Sequence, residues 1–209
     1  MMGPNKDLAV EKYRGLADRY DGLVNAAEGV RRDALALLKL EPRDVVVDVG
    51  CGTGLSFPLI EKRIGSDGQI VGIDLSPEML ARARDRVNNA GWGNVTLIQS
   101  AIEDAAIPVE ADAVFFNFTH DIMRSVAAID NVIQHVKPGG RAVTAGGKWA
   151  PWWAFPVNLY MRRVARQYVT TFEGYDKPWS LLAPYVPDLQ VKSALFGAAY
   201  IAWGTVRLP

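Results

Sequence analysis

Residues 45–54 read Val-Val-Val-Asp-Val-Gly-Cys-Gly-Thr-Gly, and this stretch decides the fold. The valine-rich run over 45–49 is typical of a strand buried on both faces of a parallel sheet. Three glycines follow at alternate positions, and glycine permits positive φ and close approach of a ligand to the backbone. Apolar residues at helical spacing come next: Leu55, Phe57, Leu59, Ile60 and Ile64. The sequence predicts a strand, a tight glycine loop and a helix, whose free N–H groups suit a polar or anionic ligand.

The spacing of the glycines limits the choice of ligand. A dinucleotide fingerprint, G-x-G-x-x-G, counted from Gly50 needs its third glycine where Leu55 stands. Asp48 also precedes the loop, where a carboxylate would repel a pyrophosphate and would pair with an ammonium group. A glycine turn that only reverses the chain is the alternative. The strand before the loop and the helix after it favour a ligand-binding loop.

Length and composition exclude several classes of protein. The 209 residues suffice for one domain with a full core, and 23 basic residues balance 23 acidic ones, which gives no support to a nucleic-acid partner. Cys51 is the single cysteine, which excludes an internal disulfide, and with two histidines it disfavours a zinc site, so no metal is expected. The sequence has no signal-peptide core and no apolar run near the ~20 residues of a membrane span. We therefore expect a cytoplasmic protein, as a monomer or a homodimer.

A second predicted strand, which ends in the acidic residue Asp74, follows the glycine loop and its helix. Residues 69–74 read Gln-Ile-Val-Gly-Ile-Asp, and Ser76-Pro77-Glu78 has the residue types that begin a helix. The D-x-G-x-G-x-G pattern from Asp48 to Gly54 and the stretch Val-Gly-Ile-Asp-Leu-Ser-Pro-Glu-Met-Leu resemble two motifs of the class I S-adenosylmethionine-dependent methyltransferases. Within that class the chain is similar to the UbiE-like small-molecule enzymes. The motifs cover roughly residues 40–147, and the tail extends the resemblance weakly.

The resemblance implies an α/β fold with a doubly wound, mostly parallel, seven-stranded Rossmann-like sheet. The sequence alone indicates five of the strands well. It implies one methyltransferase domain over 1–209, made of a helical cap (1–40), a cofactor-binding core (41–147), an aromatic substrate lid (148–187) and a closing hairpin (188–209). Local patterns predict cap helices at about 7–20 and 24–40, later helices at about 125–136 and 158–169, and a turn at 137–140 before a strand over 141–146.

The same resemblance implies S-adenosylmethionine as cofactor and S-adenosylhomocysteine as product. Asp74 lies near the offset of about 20 residues at which an acid accepts hydrogen bonds from ribose hydroxyls, with helix capping as the alternative role. Relatives usually carry Asp where this chain has Ala101, so adenine contact is expected from backbone groups or from Glu103. The residues expected at the cofactor are Tyr20, Asp48, Gly50, Cys51, Gly52, Gly54, Asp74, Leu75, Met79, Ala101, Ile102, Glu103, Asn117 and Phe118.

The end of the fourth strand is the expected place of the chemistry. Ligands of doubly wound sheets bind at the carboxyl ends of strands, so the segment that begins at Asn117 should border the transferable methyl group. His120 is the candidate general base, and a wall of the pocket or a helix cap are its alternative roles. His135, near a helix C-terminus, is interpreted as structural. The residues expected at the acceptor are Tyr13, Thr119, His120, Trp149, Trp152, Trp153 and Tyr160; Tyr13 and Tyr20 could instead be half-buried core.

The aromatic segment 147–187 holds four of the six tryptophans and leaves three roles open. It is a lid over an apolar small molecule, a membrane-surface patch together with Arg162, Arg163 and Arg166, or the core of a small cap. The preferred function is methyl transfer to a small apolar or aromatic acceptor at N, O or C. The alternatives are a phospholipid or quinone methyltransferase with peripheral membrane contact, and a non-catalytic S-adenosylmethionine-binding protein.

Overall fold

A seven-stranded sheet forms the centre of the computed structural model, which describes residues 27–207 and, before them, residues 5, 8, 11 and 12. The strand order is β3-β2-β1-β4-β5-β7-β6. Strands β1 to β5 are parallel, and β7 runs antiparallel to both β5 and β6. The strands are β1 (Val45–Val49), β2 (Gln69–Asp74), β3 (Val95–Gln99), β4 (Ala111–Asn117), β5 (Val136–Gly147), β6 (Gln190–Ala194) and β7 (Ala199–Thr205). The predicted doubly wound, mostly parallel α/β sheet is confirmed.

Five α-helices connect or cover the strands in the described part of the chain. They are α1 (Glu28–Leu37), α2 (Phe57–Ile64), α3 (Pro77–Ala90), α4 (Val126–Ile133) and α5 (Phe155–Ala165). Helix α3 begins as predicted, with Pro77 in its first turn and the Ser76 hydroxyl accepting from the Met79 N–H at 3.2 Å. Ser125 caps α4 in the same way, through the Ala128 N–H. The caps fix where each chain segment leaves the carboxyl edge of the sheet.

Alternate residues of the central strands enter two cores, one on each face of the sheet. Val46 and Phe115 pack on the face covered by α1, α2 and α3, whereas Val47 and Phe116 pack on the face covered by α4. This two-sided burial explains why β1 is a continuous apolar run with little alternation of polarity. The one polar residue of β1, Asp48, is therefore forced into the interior.

Two local predictions differ from the structure. The turn expected at 137–140 is instead part of β5, which is continuous from Val136 to Gly147. Gly139 donates to the Val206 carbonyl at 3.2 Å, and the Val206 N–H donates to Gly140 at 2.7 Å, so the stretch is paired despite its turn-forming sequence. The helix expected at 158–169 runs from Phe155 to Ala165, because Pro156 is tolerated in a first helical turn whose N–H groups have no partner.

No helix in the described residues is long and apolar enough to cross a membrane. Of the two predicted cap helices, the second is observed as α1, and most of the first lies outside the described residues.

Candidate functional site

The glycine loop after β1 needs glycine for three different reasons. Gly50, Gly52 and Gly54 all have positive φ (66°, 56° and 74°). A Cβ at Gly50 would lie 2.6 Å from Thr119 Cγ2, and one at Gly54 would lie 2.6 Å from the Phe57 ring. A Cβ at Gly52 would meet no atom within 4 Å. Gly52 therefore faces open space, which is the cradle that a ligand lying on the loop backbone requires.

Asp74, at the end of β2, joins this loop to helix α3. One carboxylate oxygen accepts from the Gly52 N–H at 2.8 Å and the other from the Ser76 N–H at 2.9 Å. Burial raises the pKa of Asp74, while the backbone N–H groups of Ser76 and Gly52 act in the opposite direction. Each carboxylate oxygen can accept a second hydrogen bond, so Asp74 fixes the loop and still offers acceptors to a ligand hydroxyl.

Asp48 lies beneath the loop and is almost fully buried. Burial raises its pKa from 3.8 to about 7, and the positive charge of Arg31 partly opposes this effect. Arg31 is itself buried and forms an ion pair with Glu28. Asp48 is not among the residues that line the cavity described below, so it supports the loop from behind.

The buried Asp48 carboxyl predicts a pH-dependent stability. In the folded protein this group stays protonated up to about pH 7, whereas its reference pKa is 3.8. The stability it contributes is therefore complete below its unfolded pKa and is lost as the pH rises toward about 7. Asp48→Asn keeps a neutral side chain at every pH, and we expect it to exceed the wild type in unfolding free energy by about 1–3 kcal/mol above neutral pH.

Urea unfolding of both proteins between mildly acidic and mildly alkaline pH measures this effect. The difference between variant and wild type should grow in favour of the variant as the pH rises. A constant difference, or one that favours the wild type at alkaline pH, would show that Asp48 is ionised in the folded protein.

One cavity lies along the carboxyl ends of β1, β2 and β4. Because β1 is between β2 and β4 in the sheet, the loop carrying Gly50 and Gly52 forms the middle of the cavity floor. The structure brings together these predicted site residues as lining: Gly50, Gly52, Asp74, Leu75, Met79, Ala101, Ile102, Glu103, Asn117, Phe118, Thr119 and His120. The backbone carbonyls of Ala101 and Ile102 already accept hydrogen bonds, from Ser100 Oγ at 2.9 Å and Asn131 Nδ2 at 2.7 Å.

Other predicted site residues lie away from this lining. Cys51 was expected to pack against the cofactor, but its thiol is in the core, where a Cβ on Gly72 would lie 3.0 Å from its Sγ. Gly54 serves the packing of Phe57. Tyr13 and Tyr20 lie outside the described residues. The tryptophans and tyrosine of the expected lid are also absent from the lining: Trp149, Trp152, Trp153 and Tyr160.

The aromatic segment divides into an inner and an outer part. Trp149 packs on Phe172 and Tyr175, with ring centroids 5.3 and 4.8 Å apart. Trp152, Trp153 and Tyr160 are exposed to solvent. These side chains do not line the cavity in this structure, and their contact with an acceptor stays a prediction.

Several lining residues were not expected at the site from the sequence: Asn5, Ser76, Asp121, Ile122, Ser125, Tyr168 and Val169. The turn after α5 closes one side, because Asp121 accepts the Thr170 N–H at 2.9 Å and Lys12 Nζ donates to the Val169 carbonyl at 2.7 Å. Asp121 and Ile122 directly follow His120, and this adjacency was a usable signal. Tyr168 and Val169 are far away in the sequence, and no motif marks them.

His120 lines the cavity and is 8% exposed. Neither ring nitrogen makes a well-aligned hydrogen bond to a described residue, although backbone groups of Thr171 and Glu173 lie close enough to interact with the ring. The ring meets the Tyr175 ring edge-on, with the ring centroids 4.9 Å apart. Burial lowers the pKa of His120, and the neighbouring Asp121 carboxylate opposes that effect. The imidazole is therefore held in its neutral form near pH 7, when it can accept a proton. Within the described residues, no group of three or more His, Cys, Asp or Glu side chains is arranged to hold a metal ion.

Comparison with known proteins finds a matching family model and several similar proteins. Residues 46–140 match the model of a methyltransferase domain. A demethylmenaquinone methyltransferase of Listeria welshimeri is 26% identical over 178 residues, which cover 82% of this chain and 75% of the relative.

Two solved methyltransferase structures have a similar fold. The N-methyltransferase NodS of Bradyrhizobium japonicum, in complex with S-adenosyl-L-homocysteine, has a TM-score of 0.69 at 16% identity and covers 95% of this chain and 97% of its own. A SAM-dependent methyltransferase of Aquifex aeolicus has a TM-score of 0.62 at 20% identity, over 91% of this chain and 98% of its own. At these identities the structural likeness concerns the fold.

Proposed function

We infer that this chain is a class I S-adenosylmethionine-dependent methyltransferase, and from that premise we propose that it methylates a small, largely apolar or aromatic acceptor. The predictions of the family, of an enzyme and of S-adenosylmethionine as cofactor are confirmed. The identity of the acceptor and the cytoplasmic location stay predictions.

The residues present fit this cofactor. Gly52 leaves open space above the loop, Asp74 offers carboxylate oxygens beside it, and Leu75 and Met79 supply an apolar wall. We assign the ribose to Asp74 and the adenine to the wall formed with Ala101 and Ile102. The bound cofactor supplies an electrophilic methyl group on a sulfonium.

The observation that carries the proposed acceptor is a set of buried polar atoms without partners at the end of β4. They are Asn117 Oδ1, Thr119 Oγ1 and both ring nitrogens of His120, and none has a well-aligned hydrogen-bond partner among the described residues. Buried polar groups in native proteins are almost always paired, so such a cluster in a cavity indicates a ligand. Phe118, Ile122 and Val169 make the surrounding wall apolar. The proposed acceptor is therefore apolar with one or a few polar atoms.

Positioning is the main contribution of these residues to methyl transfer. Direct displacement needs the acceptor atom in line with the methyl group, and much of the acceleration comes from holding that geometry. Asn117 and Thr119 would orient the polar atom of the acceptor. Neutral His120 would take a proton when the acceptor atom carries one.

A screen of acceptors with labelled cofactor tests the proposal. We expect phenols, naphthols or aromatic amines to be methylated, and Thr119→Val to raise KM for the best of them with little effect on S-adenosylmethionine affinity, because one buried hydrogen bond to the acceptor is lost. Binding of the cofactor without turnover on any apolar or aromatic compound would contradict the proposal and favour a non-catalytic binding protein.

A quinone or phospholipid methylated at a membrane surface is the second candidate. The relative of Listeria welshimeri carries the name demethylmenaquinone methyltransferase. A reduced quinone is an apolar molecule with an aromatic ring. The solvent exposure of Trp152, Trp153 and Tyr160 also favours this candidate over a lid. The same screen should therefore include a reduced quinone in detergent and a phospholipid.

A further inference from the structure

The segment after β5 presents large apolar side chains to solvent. Trp152 is 86% exposed and Leu159 is 70% exposed, and Trp153, Phe155 and Tyr160 lie in the same range. We call these five residues the exposed aromatic surface. Single exposed apolar residues are normal, whereas a continuous patch on a soluble protein marks a site of interaction.

The orientation of this surface is fixed by the opposite side of α5. Val157 and Met161 pack on a small core made of Ala150, Ala154 and Ala198. Asn158 reinforces the contact, because its side-chain oxygen accepts the Ala150 N–H at 2.7 Å and its amide donates to the Ala150 carbonyl at 3.0 Å. The helix therefore already has a buried face. Phe155, Leu159 and Tyr160 lie on its outward side, and Trp152 and Trp153 lie in the short turn before it.

A neighbouring turn adds another exposed ring. Phe196, between β6 and β7, is 95% exposed and has a positive φ of 54°. The following residue, Gly197, packs against Pro151, where an added Cβ would lie 2.8 Å from Pro151 Cδ. The left-handed conformation is unfavourable for phenylalanine, and it holds this ring outside the core beside the start of the exposed aromatic surface.

The charge of this region differs from that of the whole chain. Residues 148–172 contain four basic residues and no acidic one, although the whole chain has a net charge of zero. Arg162, Arg163 and Arg166 are exposed, and the first two lie in the last turn of α5. Aromatic side chains followed by cations on one helix are typical of segments that lie in the interface of an anionic membrane.

The same region is connected to the acceptor end of the cavity. Trp149 lies just before the exposed aromatic surface, and its ring centroid is 4.8 Å from that of Tyr175. The ring centroids of Tyr175 and His120 are 4.9 Å apart. A bilayer bound at the surface would lie a short distance from the end of β4. This chain of packed rings therefore joins the exposed aromatic surface to the acceptor end of the cavity, where His120 lies.

We propose that α5 and the 195–197 turn bind an anionic lipid bilayer and deliver a membrane-dissolved acceptor to His120. The proposal rests on the proposed function for its purpose, but the contact with lipid is measured independently of methyl transfer. A second copy of the chain is the competing occupant. A symmetric dimer through this face would bring the arginines of the two copies together, and like charges oppose that arrangement.

Co-sedimentation with vesicles tests the contact. We expect the full chain to sediment with vesicles of phosphatidylcholine and phosphatidylglycerol at low salt, and to bind vesicles of phosphatidylcholine alone several-fold less. Salt at about 0.5 M should release most of the protein, because it screens the attraction between arginines and headgroups. Failure to sediment with the anionic vesicles at low salt would overturn the proposal.

Two pairs of variants identify the surface. Arg162→Glu/Arg163→Glu should lower vesicle binding about tenfold or more, whereas Lys62→Glu/Arg63→Glu, the matching exposed pair in the last turn of α2, should lower it by much less. Trp152→Ser/Leu159→Ser should abolish binding, whereas Val191→Ser, at another exposed apolar position, should not. Equal losses in variant and control would overturn the assignment to α5.

Three further measurements separate the outcomes. Thermal unfolding should show every variant folded, since all these side chains are exposed. Sedimentation equilibrium that shows a dimer lost in Trp152→Ser/Leu159→Ser, without vesicle binding in the wild type, would assign the surface to self-association and overturn the proposal. Turnover of a water-soluble acceptor should be the same with and without vesicles. A protein that binds vesicles but methylates no acceptor would contradict the proposed function and the delivery of an acceptor, and would leave only the contact with lipid supported.

Discussion

Replacing Gly52 by valine is expected to weaken S-adenosylmethionine binding by roughly 10³-fold, because the new side chain enters the space where the cofactor lies. Gly52 is suited to this test because a Cβ there meets no protein atom within 4 Å. The loss therefore measures a clash with ligand and does not measure a clash within the fold. Gly52→Ala, with one carbon in the same space, should lie between valine and the wild type.

The strain of a positive φ has to be separated from this effect, and Gly91 allows it. Gly91 closes α3 with a φ of 69°, and its added Cβ also meets no atom within 4 Å. Gly91→Val should therefore lower the unfolding free energy by about 1–2 kcal/mol, as much as Gly52→Val does, but should keep the wild-type affinity for the cofactor. Titration calorimetry and thermal unfolding of both variants give the comparison. Normal affinity in Gly52→Val would show that the loop does not face the cofactor, and an equal loss in Gly91→Val would assign the effect to instability.

The parts of the structure that could be predicted are those that local sequence patterns determine. The run over 45–49 is apolar at every position except Asp48, and burial on both faces of a parallel sheet requires such a run. Asp74 was recognisable because an acid at the end of the second strand lies beside the glycine loop in this topology. Both signals arise within the β1-loop-α2-β2 segment, where neighbours in space are also close in sequence.

The parts that could not be predicted depend on tertiary packing. A tryptophan-rich segment has the same local pattern whether it covers a ligand or faces solvent. In the structure Val157 and Met161 pack inward, whereas Trp152, in the turn before their helix, is exposed. The stretch 137–140 has turn-forming residues, yet its pairing partner Val206 is far along the chain. Tyr168 joins the cavity through contacts of its turn with Asp121 and Lys12, which no local pattern encodes.

The cavity has two ends with different chemistry. At one end Asp74 and the loop backbone are already hydrogen-bonded to each other, so the geometry that receives the cofactor is set before binding. At the other end the polar atoms of Asn117, Thr119 and His120 have no well-aligned hydrogen-bond partners among the described residues. The second end therefore gains most from the acceptor, and its residues should control turnover more than cofactor affinity.

His120→Ala is expected to lower kcat by about 10²–10⁴ on an acceptor that loses a proton, the usual contribution of general acid–base catalysis. S-adenosylmethionine affinity should change little, because the cofactor end of the cavity does not depend on the ring. The control is His135→Ala. That histidine is held by a contact of 2.7 Å between its Nδ1 and the Asn131 carbonyl oxygen, it is absent from the cavity lining, and its loss should leave kcat near the wild-type value.

The pH dependence of the rate distinguishes a base from a positioning group. Burial lowers the pKa of His120 below its reference value of 6.5, so the wild-type rate should rise with pH on the acid side of that value and be level above it. In His120→Gln, which keeps a polar side chain but cannot titrate, the rise should disappear while part of the acceptor binding remains. If the acceptor is a neutral amine or a preformed thiolate, no base is needed and the variant should lose mainly acceptor affinity. Full kcat in His120→Ala on every accepted substrate would remove this residue from the chemistry, and methyl transfer would then depend on positioning by the remaining residues at the end of β4.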